Sequence, residues 1–174
     1  VDATGRAGVI ARHRGTREFD SVLRNVATFG YFRGARLESD YSGDWELARI
    51  CIVSHAHGWI WYIPMERDVV SVGVITSDKR FKEVAAADPE RFYRETLAAT
   101  PETARWLEGA ELVEFHDAPR KVMVESDFNY FHDRLHGPGY ALVGDAAGFL
   151  DPLFTFGVFL SVTGARMLAY ALGT

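Results

Sequence analysis

A segment towards the carboxyl-terminal part of the sequence combines glycines, two carboxylates and the start of an apolar helix. It spans residues 144–158 and reads GDAAGFLDPLFTFGV. The preceding letters, YALV, predict a short buried strand, and ligands of open α/β sheets bind beyond the carboxyl ends of such strands. Because Asp145 can only accept hydrogen bonds, it could hold ribose or ribitol hydroxyl groups. It could equally cap the turn that follows it.

The second half of the segment predicts an anion site. Thr155, Phe156 and Gly157 come at the start of the apolar helix, where backbone N–H groups meet the positive end of the helix dipole. The alternative is that Thr155 is an ordinary helix N-cap. The whole segment suits a large, flat, partly anionic ligand.

The elements that must position this segment are predicted from hydrophobic spacing. Strands are expected at residues 22–34, 46–55, 58–64, 69–76, 120–131 and 140–143, the first four as an antiparallel meander. Helices are expected within residues 6–17, 81–99, 101–107 and 157–172, with Asp88-Pro89 as a helix start, and a polar loop at residues 37–45.

Composition restricts the class of protein. A net charge of −5 does not predict nucleic acid or an anionic membrane as a partner. The single cysteine, Cys51, excludes an internal disulfide, fits a cytoplasmic protein and is expected to be buried. The apolar stretch 157–172 is expected to be too short for a membrane span and is interrupted by Arg166. The opening VDATGR has the pattern of a strand end and glycine turn, which predicts the middle of a longer polypeptide.

Four ordered segments carry a family resemblance. VGDAAGFLDPLFTFGV resembles the flavin-binding signature of FAD-dependent halogenases and their monooxygenase and reductase relatives, and VDATGR resembles their DA-x-G turn. HGWIWYIP resembles the halogenase pattern W-x-W-x-I-P through Trp59, Trp61, Ile63 and Pro64. VESDFNYFHDRLHGPGYALVGDAA resembles the segment that approaches the flavin.

The resemblance implies a fold and a site. The fold would be mixed α/β (α+β), with residues 1–18 and 137–174 in a Rossmann-like FAD-binding domain and residues 19–136 in an inserted antiparallel-sheet domain on the substrate side. It implies flavin contacts at Asp2, Gly5, Gly144, Asp145, Ala146, Asp151, Pro152, Gly157 and Val158. It implies chloride or bromide near Thr155, Phe156 and Gly157. The family's glycine-rich G-x-G-x-x-G turn and catalytic lysine are expected upstream of VDATGR.

The resemblance also implies an activity. The expected protein is an oxidoreductase of secondary metabolite biosynthesis that uses FADH2 from a separate flavin reductase, oxygen and a halide. It would halogenate a phenolic or pyrrolic substrate, free or tethered to a carrier protein. Phe156 and Phe159 depart from the small hydroxyl residue and the histidine of several halogenases, and favour a FAD-dependent monooxygenase or reductase as the alternative. A non-catalytic binding module is a third hypothesis.

Other polar and aromatic side chains are weaker candidates. Trp59, Trp61 and Ile63 alternate, so they should share one strand face as a buried core stripe. His55 and His57 should also share a face, but a third metal ligand is not evident. The remaining candidates are expected to be surface residues, namely His132, His136, Lys79 and Lys82.

Overall fold

Runs of strands and runs of helices follow one another along the chain. A computed structural model describes residues 1–36, 49–116 and 118–173. In chain order the elements are α1 (Val9–Arg14), β1 (Arg17–Phe19), β2 (Asn25–Arg33), β3 (Cys51–His55), β4 (Gly58–Pro64), β5 (Val69–Ser77), α2 (Asp78–Val84), α3 (Pro89–Ala99), α4 (Pro101–Trp106), β6 (Glu111–Val113), β7 (Val122–Glu125), β8 (Tyr130–His132), β9 (His136–Gly137), β10 (Tyr140–Ala141) and α5 (Phe156–Gly173). Short 3-10 turns lie at Gly5–Ala7, Gly144–Ala146 and Pro152–Phe154. The predicted mixed α/β class is confirmed.

The chain divides into two compact units. The first unit combines Val1–Asn25 with Asp127–Thr174, and the second unit is Val26–Ser126. The sequence places the corresponding boundaries near residues 18 and 136, so the first unit is larger than expected at both junctions. The reason is the antiparallel pairing of β1 with β8, in which Arg17 lies opposite His132. Such a pairing between segments far apart in sequence leaves no local pattern.

The second unit contains a sheet in the order β3-β4-β5-β2-β6, with β7 also pairing with β2. The pairs β3–β4 and β4–β5 are antiparallel, as are the pairs of β2 with β6 and with β7. The expected meander is therefore confirmed for β3, β4 and β5, whereas β2 lies beside β5 rather than β3. The loop expected at residues 37–45, and the first part of the strand expected at 46–55, lie outside the described residues.

One face of this sheet packs against α3 and α4. The core that results is apolar, and its buried members are Phe32, Ile60, Tyr62, Val70, Val72, Val74, Tyr93, Leu97, Trp106, Leu112 and Val122. Helix α3 begins at the predicted place, because the Asp88 carboxylate accepts a hydrogen bond from the Arg91 N–H at 3.0 Å and Pro89 follows it. The buried Tyr93 hydroxyl is satisfied by the Val72 carbonyl at 2.7 Å.

The first unit has shorter strands. Strand β9 pairs with β10 as an antiparallel hairpin. Next to β10, Leu142 forms a parallel bridge with Asp2. The strand end expected at VDATGR and the strand expected at residues 140–143 therefore lie side by side.

Two predicted elements are divided in the structure. The helix expected at 81–99 is α2 and α3, separated where Asp88 caps the second of them. The strand expected at 120–131 is β7 in the second unit and β8 in the first. Between them Asp127 has a φ of 53°, a left-handed conformation that interrupts an extended chain. The three-residue strands β1 and β6 were not predicted.

Helix α5 is apolar over its whole length. It has 18 residues, and the structure places none of them in the buried class among those it describes. Its second half and β10 line an apolar groove of about 750 Å³. With a mean hydropathy of 1.3, α5 is long and apolar enough to cross a membrane, so the expectation that this stretch is too short is wrong. One such helix does not identify a membrane protein, because core helices of globular proteins meet the same criterion of length and hydropathy.

Candidate functional site

Three of the predicted ligand-contacting segments meet in the first unit. The Asp2 N–H donates to the Ala141 carbonyl at 2.7 Å, and the Val143 N–H donates to the Asp2 carbonyl at 3.0 Å. The turns that follow these two parallel segments, Gly5–Ala7 and Gly144–Ala146, contact each other, and the second also contacts α5. Two glycine turns at parallel strand ends, next to a helix, are a typical position for a ligand in an α/β fold.

Both carboxylate oxygens of Asp2 accept hydrogen bonds from neighbouring residues of the chain. Its side chain is only 2% exposed, and one carboxylate oxygen accepts hydrogen bonds from the Thr4 N–H at 3.0 Å and the Thr4 hydroxyl at 2.6 Å. The other oxygen accepts from the Ile10 N–H in α1 at 2.7 Å. Burial alone would raise the pKa of Asp2, but these hydrogen bonds outweigh it and the pKa lies below its ordinary value. The carboxylate expected to contact the flavin thus holds α1 against the strand end.

The glycines of the two turns differ in their surroundings, since the backbone is open at Gly5 and packed against α5 at Gly144. Gly5 has a φ of 63°, and a Cβ there would have no neighbour within 4 Å. Gly144 has a φ of 60°, and a Cβ there would lie 3.0 Å from the Ser161 hydroxyl of α5. Both positions therefore favour glycine through their backbone conformation, and at Gly144 the close approach of α5 adds a second reason.

Asp145 differs from Asp2 in having an available carboxylate. The residue is half-buried, and one carboxylate oxygen lies 3.8 Å from where a Cβ of Gly157, in the first turn of α5, would be. Across residues 1–36, 49–116 and 118–173, the side-chain oxygens of Asp145 accept no hydrogen bond. An uncommitted acceptor beside the start of a long helix could bind ligand hydroxyl groups.

The Asp151 carboxylate is occupied, like that of Asp2. One oxygen accepts from the Leu153 N–H at 3.1 Å, which caps the turn Pro152–Phe154, and the other accepts from the Asn25 amide at 2.8 Å. Thr155 then adopts a φ of 53° and donates its N–H to the Pro152 carbonyl at 3.0 Å. Thr155 therefore ends this turn, and its N–H is already bonded.

The Phe149 ring lies beside the start of α5, 3.8 Å from where a Cβ of Gly157 would be, whereas the aromatic side chains of α5 in its first turn are exposed. Phe156 is 47% exposed, Phe159 is 61% exposed and Val158 is 75% exposed. Gly157 also lies close to the turn that contains Asp145 and the buried Ala146. Of the predicted contacts, the structure brings Gly5, Gly144, Asp145 and Gly157 into one neighbourhood.

Tyr130 is a central residue of this unit that the sequence did not single out. Its hydroxyl donates to the Asp145 carbonyl at 2.6 Å, and the Arg17 guanidinium lies 4.2 Å above its ring. The only signal was its place in the DFNY segment. His132, expected at the surface, lies opposite Arg17 in the paired strand β8 and is buried at 7% exposure, and its Nδ1 donates to the Thr16 carbonyl at 2.9 Å.

The tryptophan motif lies in the second unit and faces away from the core. Ile60 and Tyr62 are fully buried, whereas Trp59, Trp61 and Ile63 on the opposite face are only half-buried. The expected core stripe is therefore on the wrong face. The Trp61 indole N–H donates to the Ser71 hydroxyl at 3.1 Å. Its ring lies over Gly73 and near Phe29, with ring centroids of Phe29 and Trp61 5.7 Å apart.

The remaining candidates form no ligand cluster. His55 ends β3 while His57 lies in the following turn, so the expected shared strand face is wrong. Within the described part of the chain there is no group of three or more potential metal ligands. The expected surface positions of Lys79, Lys82 and His136 are confirmed. Cys51 is half-buried against the core rather than fully buried.

Comparison with known proteins gives consistent matches. A family model described as tryptophan halogenase matches residues 1–174. The chain is 37% identical over 173 residues to a tryptophan 2-halogenase of Chondromyces crocatus, covering 97% of this chain and 31% of that protein. It is 32% identical to the flavin-dependent halogenase armH4 of Armillaria mellea, covering 97% of this chain and 33% of that protein. The chain thus spans about a third of the length of these curated relatives.

Solved structures give the same result for the fold. The flavin-dependent halogenase CmlS superposes with a TM-score of 0.80 at 33% identity, covering 94% of this chain and 28% of that chain. The myxobacterial chondrochloren halogenase CndH, a FAD-dependent halogenase, superposes with a TM-score of 0.77 at 30% identity, covering 88% of this chain and 34% of that chain. The predicted fold class, mixed α/β with a Rossmann-like part, agrees with these neighbours.

Proposed function

Because this chain belongs to the tryptophan halogenase family, we propose that the protein is a flavin-dependent halogenase of aromatic substrates. Its co-substrates would be FADH2, supplied by a separate flavin reductase, oxygen, and chloride or bromide. The names of the relatives with 30% to 37% identity support this proposal. A phenolic or pyrrolic substrate, free or tethered to a carrier protein, remains our expectation from the sequence.

The observation that carries the proposal is the Asp145 carboxylate. It is a half-buried acceptor with no hydrogen-bond donor among the described residues, and the glycine turn that contains it contacts both the turn Gly5–Ala7 and α5. These residues fit FAD, since Asp145 could accept from ribityl hydroxyls. Gly5, where a Cβ would have no neighbour within 4 Å, lets the ligand approach the backbone. The helix start would favour the anionic part of the cofactor. FAD would supply the redox chemistry with oxygen.

The other predicted contacts receive narrower roles in this proposal. Asp2 and Asp151 would act indirectly, since their carboxylates hold the backbone of the two loops that flank Asp145. Pro152 would fix the backbone of the loop that Asp151 caps. Ala146 would leave room for the ligand through its small side chain, and Val158 would offer an exposed apolar surface. For the halide we retain the segment Thr155–Phe156–Gly157 and place it nearest Gly157, because the Thr155 N–H is bonded to Pro152.

We also propose roles for the two units. The first unit would be part of the FAD-binding domain, and the second would form the substrate side. The half-buried face with Trp59, Trp61, Ile63 and Pro64 would be an aromatic boundary of the substrate region. The catalytic lysine is expected outside this chain.

The test is halogenation by the full-length protein. With FADH2, oxygen and bromide, it should brominate a phenol surrogate such as monochlorodimedone. Asp145→Asn should bind FAD about tenfold more weakly, since a hydrogen bond to a charged group contributes about 1.5–3 kcal/mol. Asp133→Asn, which changes an exposed carboxylate of the same unit, is the matched control and should bind like wild type.

An alternative outcome would identify a FAD-dependent monooxygenase or reductase. Phe156 and Phe159 at the start of α5 favour that activity, since related halogenases carry smaller or polar residues there. Hydroxylation of the phenol, or release of peroxide without consumption of bromide, would reject the halogenase in favour of this alternative. Equal FAD affinity in Asp145→Asn and wild type would reject the proposed role of Asp145.

A further inference from the structure

Tyr130 is fixed on several sides. The residue is 2% exposed, and the Arg17 guanidinium lies 4.2 Å above its ring. The rings of Phe19 and His132 meet it edge-on, each with a centroid separation of 6.1 Å. Because both strands that carry these residues are paired, β1 with β8, the ring of Tyr130 has a defined position in the first unit.

The same residue holds both ends of the loop that contains the available carboxylate. Its hydroxyl donates to the Asp145 carbonyl at 2.6 Å. Its backbone N–H donates to the Phe149 carbonyl at 3.0 Å, and the Phe149 N–H donates to the Tyr130 carbonyl at 2.9 Å. In between, Gly148 passes so close that a Cβ there would lie 3.2 Å from the Tyr130 carbonyl oxygen. One residue therefore closes the loop 144–149.

We propose that Tyr130 is a positioning residue for the flavin site, because its hydroxyl and backbone together set the loop that places the Asp145 carboxylate beside α5. This inference rests on the proposed function of that loop. Tyr130 would act through Asp145 and would not contact the reacting atoms. Replacement by phenylalanine keeps its backbone bonds to Phe149, so this variant isolates the hydroxyl.

The hydroxyl is suited to this role. Burial raises the pKa of Tyr130 above its ordinary value, with Arg17 opposing and Asp145 adding to that shift. The phenol therefore stays protonated at neutral pH, as the donor to the Asp145 carbonyl must be.

The experiment compares Tyr130→Phe with wild type in the full-length protein. The variant keeps the ring and its contact with Arg17 but loses the donor to Asp145. We expect FAD affinity to fall about fivefold, the size of one net hydrogen bond, and the visible circular dichroism of bound FAD to change. Amide hydrogen exchange should become faster across residues 144–149, in the presence and in the absence of FAD.

Tyr93→Phe is the matched control. Its hydroxyl is also buried and also donates to a backbone carbonyl, that of Val72 at 2.7 Å, but it lies in the second unit. Tyr93→Phe should lower the melting temperature about as much as Tyr130→Phe does, because each variant loses one buried hydrogen bond. It should not change FAD affinity, the circular dichroism of bound FAD or hydrogen exchange in residues 144–149.

The outcomes separate the two proposals. If Tyr130→Phe and Tyr93→Phe behave alike in all three measurements, Tyr130 is a stabilising residue only and the inference is wrong. If wild type does not bind FAD, the proposed function is wrong. Exchange of residues 144–149 would then still decide whether the Tyr130 hydroxyl sets the loop.

Discussion

The replacement Asp2→Asn tests whether this carboxylate is structural. In the folded protein one of its oxygens accepts two hydrogen bonds from Thr4 and the other accepts one from the Ile10 N–H at 2.7 Å. An asparagine of the same shape keeps one acceptor oxygen but turns an NH2 group towards either the Ile10 N–H or the Thr4 donors. A donor would then face a donor in a site that is 2% exposed.

The magnitude follows from the number and kind of bonds lost. A hydrogen bond to a charged group contributes about 1.5–3 kcal/mol, and one such bond, to Ile10, is lost outright. The bonds from Thr4 remain but become bonds to a neutral acceptor, which are roughly half as strong. We therefore expect the free energy of unfolding to fall by about 2–4 kcal/mol at pH 7.

The stability lost in Asp2→Asn should depend on pH. The pKa of Asp2 is lowered in the folded state, so its stabilisation is complete above the unfolded pKa of about 3.9 and is lost as pH falls through the folded pKa. Urea unfolding of wild type and Asp2→Asn at a series of pH values should show a difference that is constant from pH 7 down to about pH 5 and shrinks below about pH 4.

A matched control is available in the same unit. Asp20 is a half-buried residue whose pKa is also lowered, by the N–H groups of Leu23 and Val22, which both donate to one oxygen at 2.7 Å. Asp20→Asn can keep that oxygen as acceptor, so its effect on stability should be much smaller. If the two variants lose equal stability, or if the loss in Asp2→Asn does not vary with pH, our account of the Asp2 carboxylate is wrong.

Two further substitutions test the close contacts. Gly144→Ala should lower the free energy of unfolding by about 1–2 kcal/mol because of its left-handed backbone, and by a further amount because the new Cβ would crowd the Ser161 hydroxyl. Gly5→Ala should lower the free energy of unfolding through the backbone conformation only. Chemical unfolding of both should therefore rank Gly144→Ala as the more damaging, and the reverse order would refute the contact. Gly73→Ala should displace the Trp61 ring, which a Cβ would overlap, and cost about 1–3 kcal/mol. An unchanged near-ultraviolet circular dichroism spectrum would contradict that displacement.

Much of the fold follows from local sequence signals. Strands β4 and β5 are found at nearly their predicted bounds, because apolar runs of strand length flank a short polar turn. Helix α3 starts at Asp88-Pro89, as the cap and the proline predict. The failures are non-local. The strand expected at 120–131 passes from the second unit to the first where Asp127 adopts a positive φ. Aspartate tolerates this backbone conformation but does not require it, so the sequence does not signal the break.

The face of the tryptophan strand could not be read from its pattern. Both sets of alternating residues in β4 are apolar, Trp59 and Trp61 on one side and Ile60 and Tyr62 on the other. Alternation assigns residues to two faces but does not say which face meets α3 and α4. Only the packing of helices that come later in the sequence decides it, and it selects the Ile60 side.

The candidate site was predictable in its position and less so in its details. The structure brings together the turns after the two strand ends, while the binding of flavin there stays a prediction. The sequence could not tell that Asp2 and Asp151 accept from backbone N–H groups while the Asp145 carboxylate does not, because the type of residue alone does not fix its partners. The partners that decide this, such as Ile10 and Asn25, lie 8 and 126 residues away.

The place where the chain leaves and re-enters the first unit has an evolutionary consequence. On the first unit's side, Arg24 and Asp127 form an ion pair at 3.7 Å, and on the second unit's side Ala27 is paired with Glu125. Each unit therefore has its two cut points side by side. A unit inserted in this way can be gained, lost or exchanged as one continuous segment. A short linker between residues 25 and 127 would then reconnect the chain of the first unit. The junction between residues 25 and 127 is the natural site at which to graft a different module onto this scaffold.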